Sequence, residues 1–287
     1  MGLINEYRAS LKGYDVEEIL DLLIYRPISF LIVKLIYRFN ITPNQISLLS
    51  MFFGIATGVL FAFGFYIYGG IVLFISNVFD CVDGQLARLK HNGTKIGRII
   101  DGAIDYVTGA SVFIGLGISL SMDSGDYFIT WIVVILAAVS RIFQNFFFDY
   151  YRNEYLSYVY NKVANLEDEI REFKDESKRL ESLKGKKFEK FLIDIYIKYS
   201  KLQRKSNNHK AFSVSPEEYK KANKFILRLW SWLGSTTHLT LIIIFSIVQH
   251  IEIYLIATIV IGNFFMLVFL AYQSYLNNRF ITLSGSK

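Results

Sequence analysis

DCVDGQLARLKHNGTKIGRIIDGAIDY, residues 80–106, carries four carboxylates at the ends of strongly apolar segments. Asp80 and Asp83 are three residues apart, and Asp101 and Asp105 are four apart. On helices each pair shares a face. An acid beside lipid is costly, so it usually lines a cavity, pairs or binds a cation. VLFISNVF runs into the first pair and IIDGAIDY holds the second. An ordinary charged loop explains Arg88, Lys90 and Lys95 but not acids embedded in such segments. Four acids with glycines and arginines between them point to a metal site that handles phosphates.

Working outward, the apolar residues are bunched into long blocks. The chain has 287 residues, is 53% hydrophobic and has a mean hydropathy of +0.33. A membrane-spanning helix needs roughly 20 mostly apolar residues. Blocks near 45–66, 67–87, 98–120, 127–149, 226–248 and 251–273 meet that requirement. The expected fold is therefore an all-α integral membrane protein with six transmembrane helices. The acids lie at the end of the second span and within the third.

The net charge of +6 would suit nucleic acid, but its distribution is topological. Lys and Arg fall before the first span, between spans two and three, between four and five, and after the sixth. The connections near 62–70, 120–127 and 249–252 contain neither. This positive-inside pattern places both termini and the acidic motif in the cytoplasm and argues against a nucleic-acid partner. The one cysteine, Cys81, excludes an intrachain disulfide and a multi-cysteine zinc site. The first twenty residues are polar and charged, so no cleavable signal peptide is expected.

The expected organisation has five parts. Residues 1–43 form a cytoplasmic and interfacial segment, 44–150 the first four spans, 151–224 a cytoplasmic helical insertion, 225–275 the last two spans, and 276–287 a tail. Within the first part, residues 14–40 begin with an acidic patch. Ile28, Leu31, Ile32, Leu35, Ile36 and Phe39 then recur at helical spacing. Lys34 and Arg38 make that stretch too charged for a span, so it should lie at the membrane surface, beginning near Pro27. Thr42-Pro43-Asn44 supplies a cap and turn before the first span, and either marks a boundary or shares in the substrate pocket. The insertion reads as a helical hairpin broken near Gly185, suited to anionic lipid. Residues 207–218 read as a loop.

Mg²⁺ favours carboxylates together with phosphate oxygens. Asp80, Asp83 and Asp101 converge if spans two and three pack side by side, with Asp105 one turn deeper. Two ions there would neutralise the clustered charge and clamp a pyrophosphate. Gly84 and Gly97 permit close backbone approach by a ligand; Gly84 equally permits tight helix packing. Ala87 would make a small wall. Arg88 would pair with a phosphate or with an aspartate of the motif, and Arg98 reads as a topology determinant.

As a pattern, Asp80-x2-Asp83-Gly84-x2-Ala87-Arg88-x8-Gly97-x3-Asp101-x3-Asp105 resembles the signature of the CDP-alcohol phosphotransferase family at every fixed position. The 151–224 insertion departs from the compact bacterial members, whose fourth and fifth spans are closely linked. The resemblance implies a six-span homodimer using Mg²⁺ or Mn²⁺. Such an enzyme transfers a phospho-alcohol from a CDP-linked donor to an alcohol acceptor and releases CMP. It implies Asp80, Asp83 and Asp101 as metal ligands, with Asp80 and Asp101 bridging two ions. Asp105, the fourth acid of the metal set, becomes the base that takes the acceptor's hydroxyl proton. Gly84, Ala87 and Arg88 become part of the cytidine diphosphate site.

The motif does not name the acceptor. Arg141, inside the fourth block with Asn145 after it, needs an anion. Either a phosphorylated acceptor or one of the aspartates would supply it. Tyr106 and Tyr150 are weaker candidates for headgroup contact. The expected reaction is transfer from CDP-diacylglycerol to inositol phosphate or glycerol phosphate, with membrane lipids as partners. The alternatives are transfer from CDP-choline or CDP-ethanolamine to diacylglycerol and, outside the transferases, a divalent-cation transporter.

Overall fold

The computed structural model describes residues 2–160 and 214–282, together with isolated positions between 171 and 198. Among the described residues the chain is helical with no strand. Six helical stretches are long and apolar enough to cross a membrane: Pro43–Ala62, Tyr66–Lys90, Ile99–Ser124, Tyr127–Tyr160, Pro216–Ile247 and Ile251–Arg279. The protein is an all-α, multi-pass membrane protein.

Two compact units divide the chain, one of Met1–Phe146 with Trp230–Leu267, the other of Phe147–Leu229 with Val268–Lys287. The first begins with α1 (Leu3–Ser10), a π-helical turn (Asp21–Tyr25) and α2 (Arg26–Ile36). Helix therefore starts upstream of Pro27, which lies in the first turn of α2. In the widened turn the amide of Arg26 reaches back to the Asp21 carbonyl. Such a turn loosens the backbone where the proline ring would crowd a preceding carbonyl. α2 buries Ser29 and Val33 against the helix that holds Val78, and Phe30 against Tyr7 of α1, and leaves Ile28, Leu31 and Leu35 exposed. Part of the expected apolar face is thus available to lipid.

α3 (Pro43–Ala62) opens with a full capping box. Thr42 Oγ1 accepts from the Gln45 amide at 3.4 Å, and Gln45 Oε1 accepts from the Thr42 amide at 2.9 Å. α4 (Tyr66–Lys90) ends at His91, whose left-handed conformation (φ 51°) stops the helix. α5 (Lys95–Ser124) starts at Thr94, whose hydroxyl accepts from the Gly97 amide at 2.9 Å. α3 packs against both α4 and α5. Against α5 the approach is backbone to backbone. A Cβ on Gly58 would overlap the Ser111 carbonyl, and one on Gly115 would overlap the Gly58 carbonyl. Small residues at such crossings are how membrane helices gain packing. Against α4, Ser50 and Ser76 each donate to the other's carbonyl at 2.8 Å.

The fifth span is broken. α7 (Pro216–Trp230) passes into a 3₁₀ turn (Ser231–Leu233), and α8 (Ser235–Ile247) follows Gly234. α8 packs against α4. α9 (Ile251–Ala257), a π-helical turn (Thr258–Gly262) and α10 (Asn263–Thr282) complete the sixth. One buried cluster joins Leu73, Val112, Leu116, Ala137, Ile242 and Tyr254. A second, nearer the acids, joins Tyr25, Val33, Ile46, Val78, Val82 and Leu86.

α6 (Tyr127–Tyr160) continues through residue 150, and α7 begins before residue 225. In the second unit Tyr219 donates to Glu154 at 2.7 Å and Gln273 to Asn223 at 2.6 Å. Phe173, Ile193 and Ile197 are buried, and Ser177 donates to Asp194 at 2.8 Å. Gly185 and most of the loop expected at 207–218 lie outside the described residues.

Candidate functional site

The last turns of α4 carry Asp80 and Asp83, and the second turn of α5 carries Asp101. One oxygen from each lies within 4.8 Å of the others. The site exists because α4 and α5 stop and start within a few residues of each other, each with its own cap. α3 adds a third wall. Ser47 Oγ donates to Asp83 Oδ2, fixing that carboxylate. A Cβ on Gly97 would come within 2.9 Å of Thr94 Oγ1 and 3.1 Å of Asn44 Oδ1. Gly97 therefore makes room for the start of α3. Ser47 is invisible in sequence, being one small polar residue in an apolar run. Asn44 was legible only as part of the cap.

Asp101 Oδ1 is buried and has no hydrogen-bond partner. An orphaned buried carboxylate oxygen is expensive unless something else satisfies it. Three converging carboxylates form an all-oxygen donor set, which suits a hard divalent cation rather than one that prefers nitrogen or sulfur. The residues fit Mg²⁺ or Mn²⁺. Asp105 stands one turn further along α5, exposed and outside this group of three. Tyr106 beside it is 65% exposed. Tyr150 belongs to the second unit.

Arg88 Nε donates to the Ser10 carbonyl, while its Nη2 is buried without a hydrogen-bond partner. A Cβ on Gly84 would lie 3.3 Å from that guanidinium, so Gly84 leaves the face of α4 open beneath Arg88. Ala87, half-buried one residue earlier, is in contact range of Gly93. Lys90 is a structural tie, donating to the carbonyls of Phe39 and Ile41 at 2.9 and 3.0 Å. The Arg98 side chain lies outside the described residues.

Behind the acids sits a buried ionic group that sequence reasoning missed. Arg26 Nη2 bonds Glu17 at 3.0 Å and lies 3.8 Å from Asp21. Gln85 bonds Ser10 and the Arg26 carbonyl. Burial alone would raise the Glu17 pKa; Arg26 and the Lys12 amide outweigh it and hold the carboxyl below its usual range.

Arg141 on α6 is half-buried. Its guanidinium lies over the Phe113 ring at 5.8 Å, and Nη2 reaches Ser235 Oγ at 3.5 Å. Nη1 would be 3.3 Å from a Cβ on Gly109. Among the described residues no carboxylate comes within ion-pair distance of it. Among the described residues, Arg141 thus has no aspartate partner.

Residues 40–158 match the sequence model of the family described as CDP-alcohol phosphatidyltransferase. That segment holds all eight positions of the acidic motif and Arg141. It resembles a CDP-alcohol phosphatidyltransferase domain. The domain resembles a phosphatidylinositol phosphate synthase of Corynebacterium glutamicum, 33% identical over 29% of this chain and 38% of the relative. An archaetidylinositol phosphate synthase of Pyrococcus horikoshii is 28% identical over 38% of this chain and 57% of the relative. A bifunctional IPC transferase and DIPP synthase of Thermococcus kodakarensis is 26% identical over 44% of this chain and 28% of the relative. The chain thus spans between about a quarter and just over half of these relatives' lengths.

Proposed function

We propose that this domain transfers a phosphatidyl group from CDP-diacylglycerol to a phosphorylated polyol, inositol phosphate or glycerol phosphate, and releases CMP. The observation that carries the proposal is the convergence of Asp80, Asp83 and Asp101 inside the matched domain, with an orphaned oxygen on Asp101. Asp80, Asp83 and Asp101 hold the divalent ions, two by family resemblance. When bound, these ions neutralise the pyrophosphate and the leaving oxygen. Asp105, exposed one turn beyond the cluster, takes the proton from the acceptor hydroxyl. The acceptor oxygen then forms a bond to the lipid-bearing phosphorus, and the bond from that phosphorus to the CMP oxygen breaks. Gly84, Ala87, Arg88 and Gly97 line the nucleotide's approach to the acids.

Arg141 favours the phosphorylated acceptor. A half-buried guanidinium with no carboxylate partner among the described residues suits a substrate phosphate, which the relatives' names also support. Transfer from CDP-choline or CDP-ethanolamine to diacylglycerol leaves Arg141 without a task, and a transporter leaves the Gly84–Arg88 arrangement without one. The Lys/Arg asymmetry puts the site on the cytoplasmic side, and the family resemblance makes the protein a homodimer.

The test is CMP release by the purified protein with CDP-diacylglycerol, Mn²⁺ and a panel of acceptors. Inositol phosphate or glycerol phosphate should be consumed. Arg141→Lys keeps the charge but loses the two-pronged geometry, so it should raise the acceptor KM with little change for the donor. Turnover only with CDP-choline or CDP-ethanolamine and diacylglycerol refutes the phosphorylated acceptor, and no CMP release from any donor refutes the transferase.

A further inference from the structure

The segment before the matched domain is tied to the far end of the chain. Glu18 is buried, 5% exposed, and its carboxylate accepts from the amides of Thr236 at 3.3 Å and Thr237 at 3.2 Å. These amides open α8, where a helix leaves its donors unsatisfied and where negative charge is favoured. A Cβ on the preceding Gly234 would overlap the Glu18 carboxylate and push it from its present place. Asp21 accepts from Thr236 Oγ1 at 3.2 Å, and Tyr25 shares a 2.9 Å hydrogen bond with Thr240 Oγ1. Glu18, just before the π-helical turn, and Asp21 and Tyr25 within it together grip the first turns of α8.

Two arms leave this seam. Through Glu17, Arg26 and Gln85 it reaches Ser10, whose carbonyl receives Arg88. Through Ser235, the residue beside Thr236, it reaches Arg141. A carboxylate that only closed a helix end could have come from a local cap, since Ser, Thr, Asp and Asn all serve. This chain has Gly234 there and brings the charge from more than two hundred residues away.

We propose that Glu18 is a positioning residue for the acceptor: it fixes the first turn of α8 so that Ser235 holds the Arg141 guanidinium in place. This rests on the phosphorylated-acceptor function argued above. Without the Glu18 charge, the turn that carries Ser235 loosens and Arg141 gains freedom. The acceptor phosphate then meets a less ordered partner, while the metal-binding acids on α4 and α5 stay where they are.

The experiment uses the full chain. Glu18→Gln keeps the side chain's size and one acceptor oxygen but removes the charge. It should raise the acceptor KM about tenfold, the scale of one charged hydrogen bond, and leave the CDP-diacylglycerol KM within about twofold. Amide hydrogen exchange at Thr236 and Thr237 should quicken, with α4 unchanged. Combined with Arg141→Lys, the two effects on acceptor KM should fall short of their product, because both act through one guanidinium. If Glu18→Gln fails to fold, Ser235→Ala removes the last link alone and should raise the acceptor KM with Thr236 and Thr237 still protected. Equal losses for both substrates, full multiplication in the double variant, or an unchanged acceptor KM would overturn the proposal. Wild-type protein that consumes only a non-phosphorylated acceptor would instead overturn the acceptor assignment, and the phosphate role of Glu18 with it.

Discussion

Asp101→Asn should make the metal-free protein more stable and the metal-loaded protein less so. Oxygens of Asp80, Asp83 and Asp101 lie within 4.8 Å of one another. At that separation two unit charges repel by about 3.5 kcal/mol at an effective dielectric of 20. Asp101 takes part in two of the three pairs, so its charge carries about 7 kcal/mol or more of repulsion before screening. Water and salt remove much of this, and about 2 kcal/mol should survive. Asparagine keeps the shape and deletes the charge. In chelator the variant should therefore melt several degrees above wild type. With Mn²⁺ at a hundred times its Kd, wild type gains about 2.7 kcal/mol; the variant, lacking one of three ligands, should gain little. The order of the two melting temperatures reverses between conditions. Thermal unfolding in detergent, followed by tryptophan fluorescence with and without Mn²⁺, measures both. A variant that melts below wild type in chelator and still gains fully from Mn²⁺ would refute the clustered-charge account of the site.

Asp105→Asn should lower turnover by roughly 10² while keeping the Mn²⁺-dependent stabilisation; wild-type turnover would end its role as base. Gly58→Ala drives a Cβ into both the hydroxyl and the carbonyl of Ser111, and the carbonyl, being backbone, cannot simply turn away. About 1–3 kcal/mol should be lost, and an unchanged melting temperature would refute the close crossing. Cysteines placed at the exposed positions Ser124 and Lys178 should label oppositely with an impermeant maleimide in intact cells. Ser124→Cys should react at once and Lys178→Cys only after permeabilisation, since buried Cys81 gives little background; the reverse order would invert the topology.

The motif was legible because its acids are out of place in apolar sequence, and six apolar blocks announce six spans. Hydropathy does not announce breaks: Ser231–Gly234 interrupts the fifth span within a stretch that reads as nearly continuous. Nor does it announce which acids are solvated. Glu17, Glu18 and Asp21 read as a surface patch, yet all three are buried. Their partners Arg26, Thr236 and Thr237 lie five to 219 residues away, most of them beyond any local pattern. Ser47 was hidden for the same reason: its function is set by α4, not by its neighbours. Arg141 was the converse case, conspicuous as a charge in an apolar block, with only its surroundings left for the structure to supply.

The Glu18 contact with α8 also bears on how the chain divides. The matched segment begins at residue 40, so an experimenter trimming to that boundary would discard the residues that close α8 and hold Arg88. Such a fragment would keep every acid of the motif and lose the brace around them. The same logic applies to swapping domains between relatives: residues 10–26 and 234–240 would have to travel together, because each half alone carries buried charges or bare amides with nothing to meet.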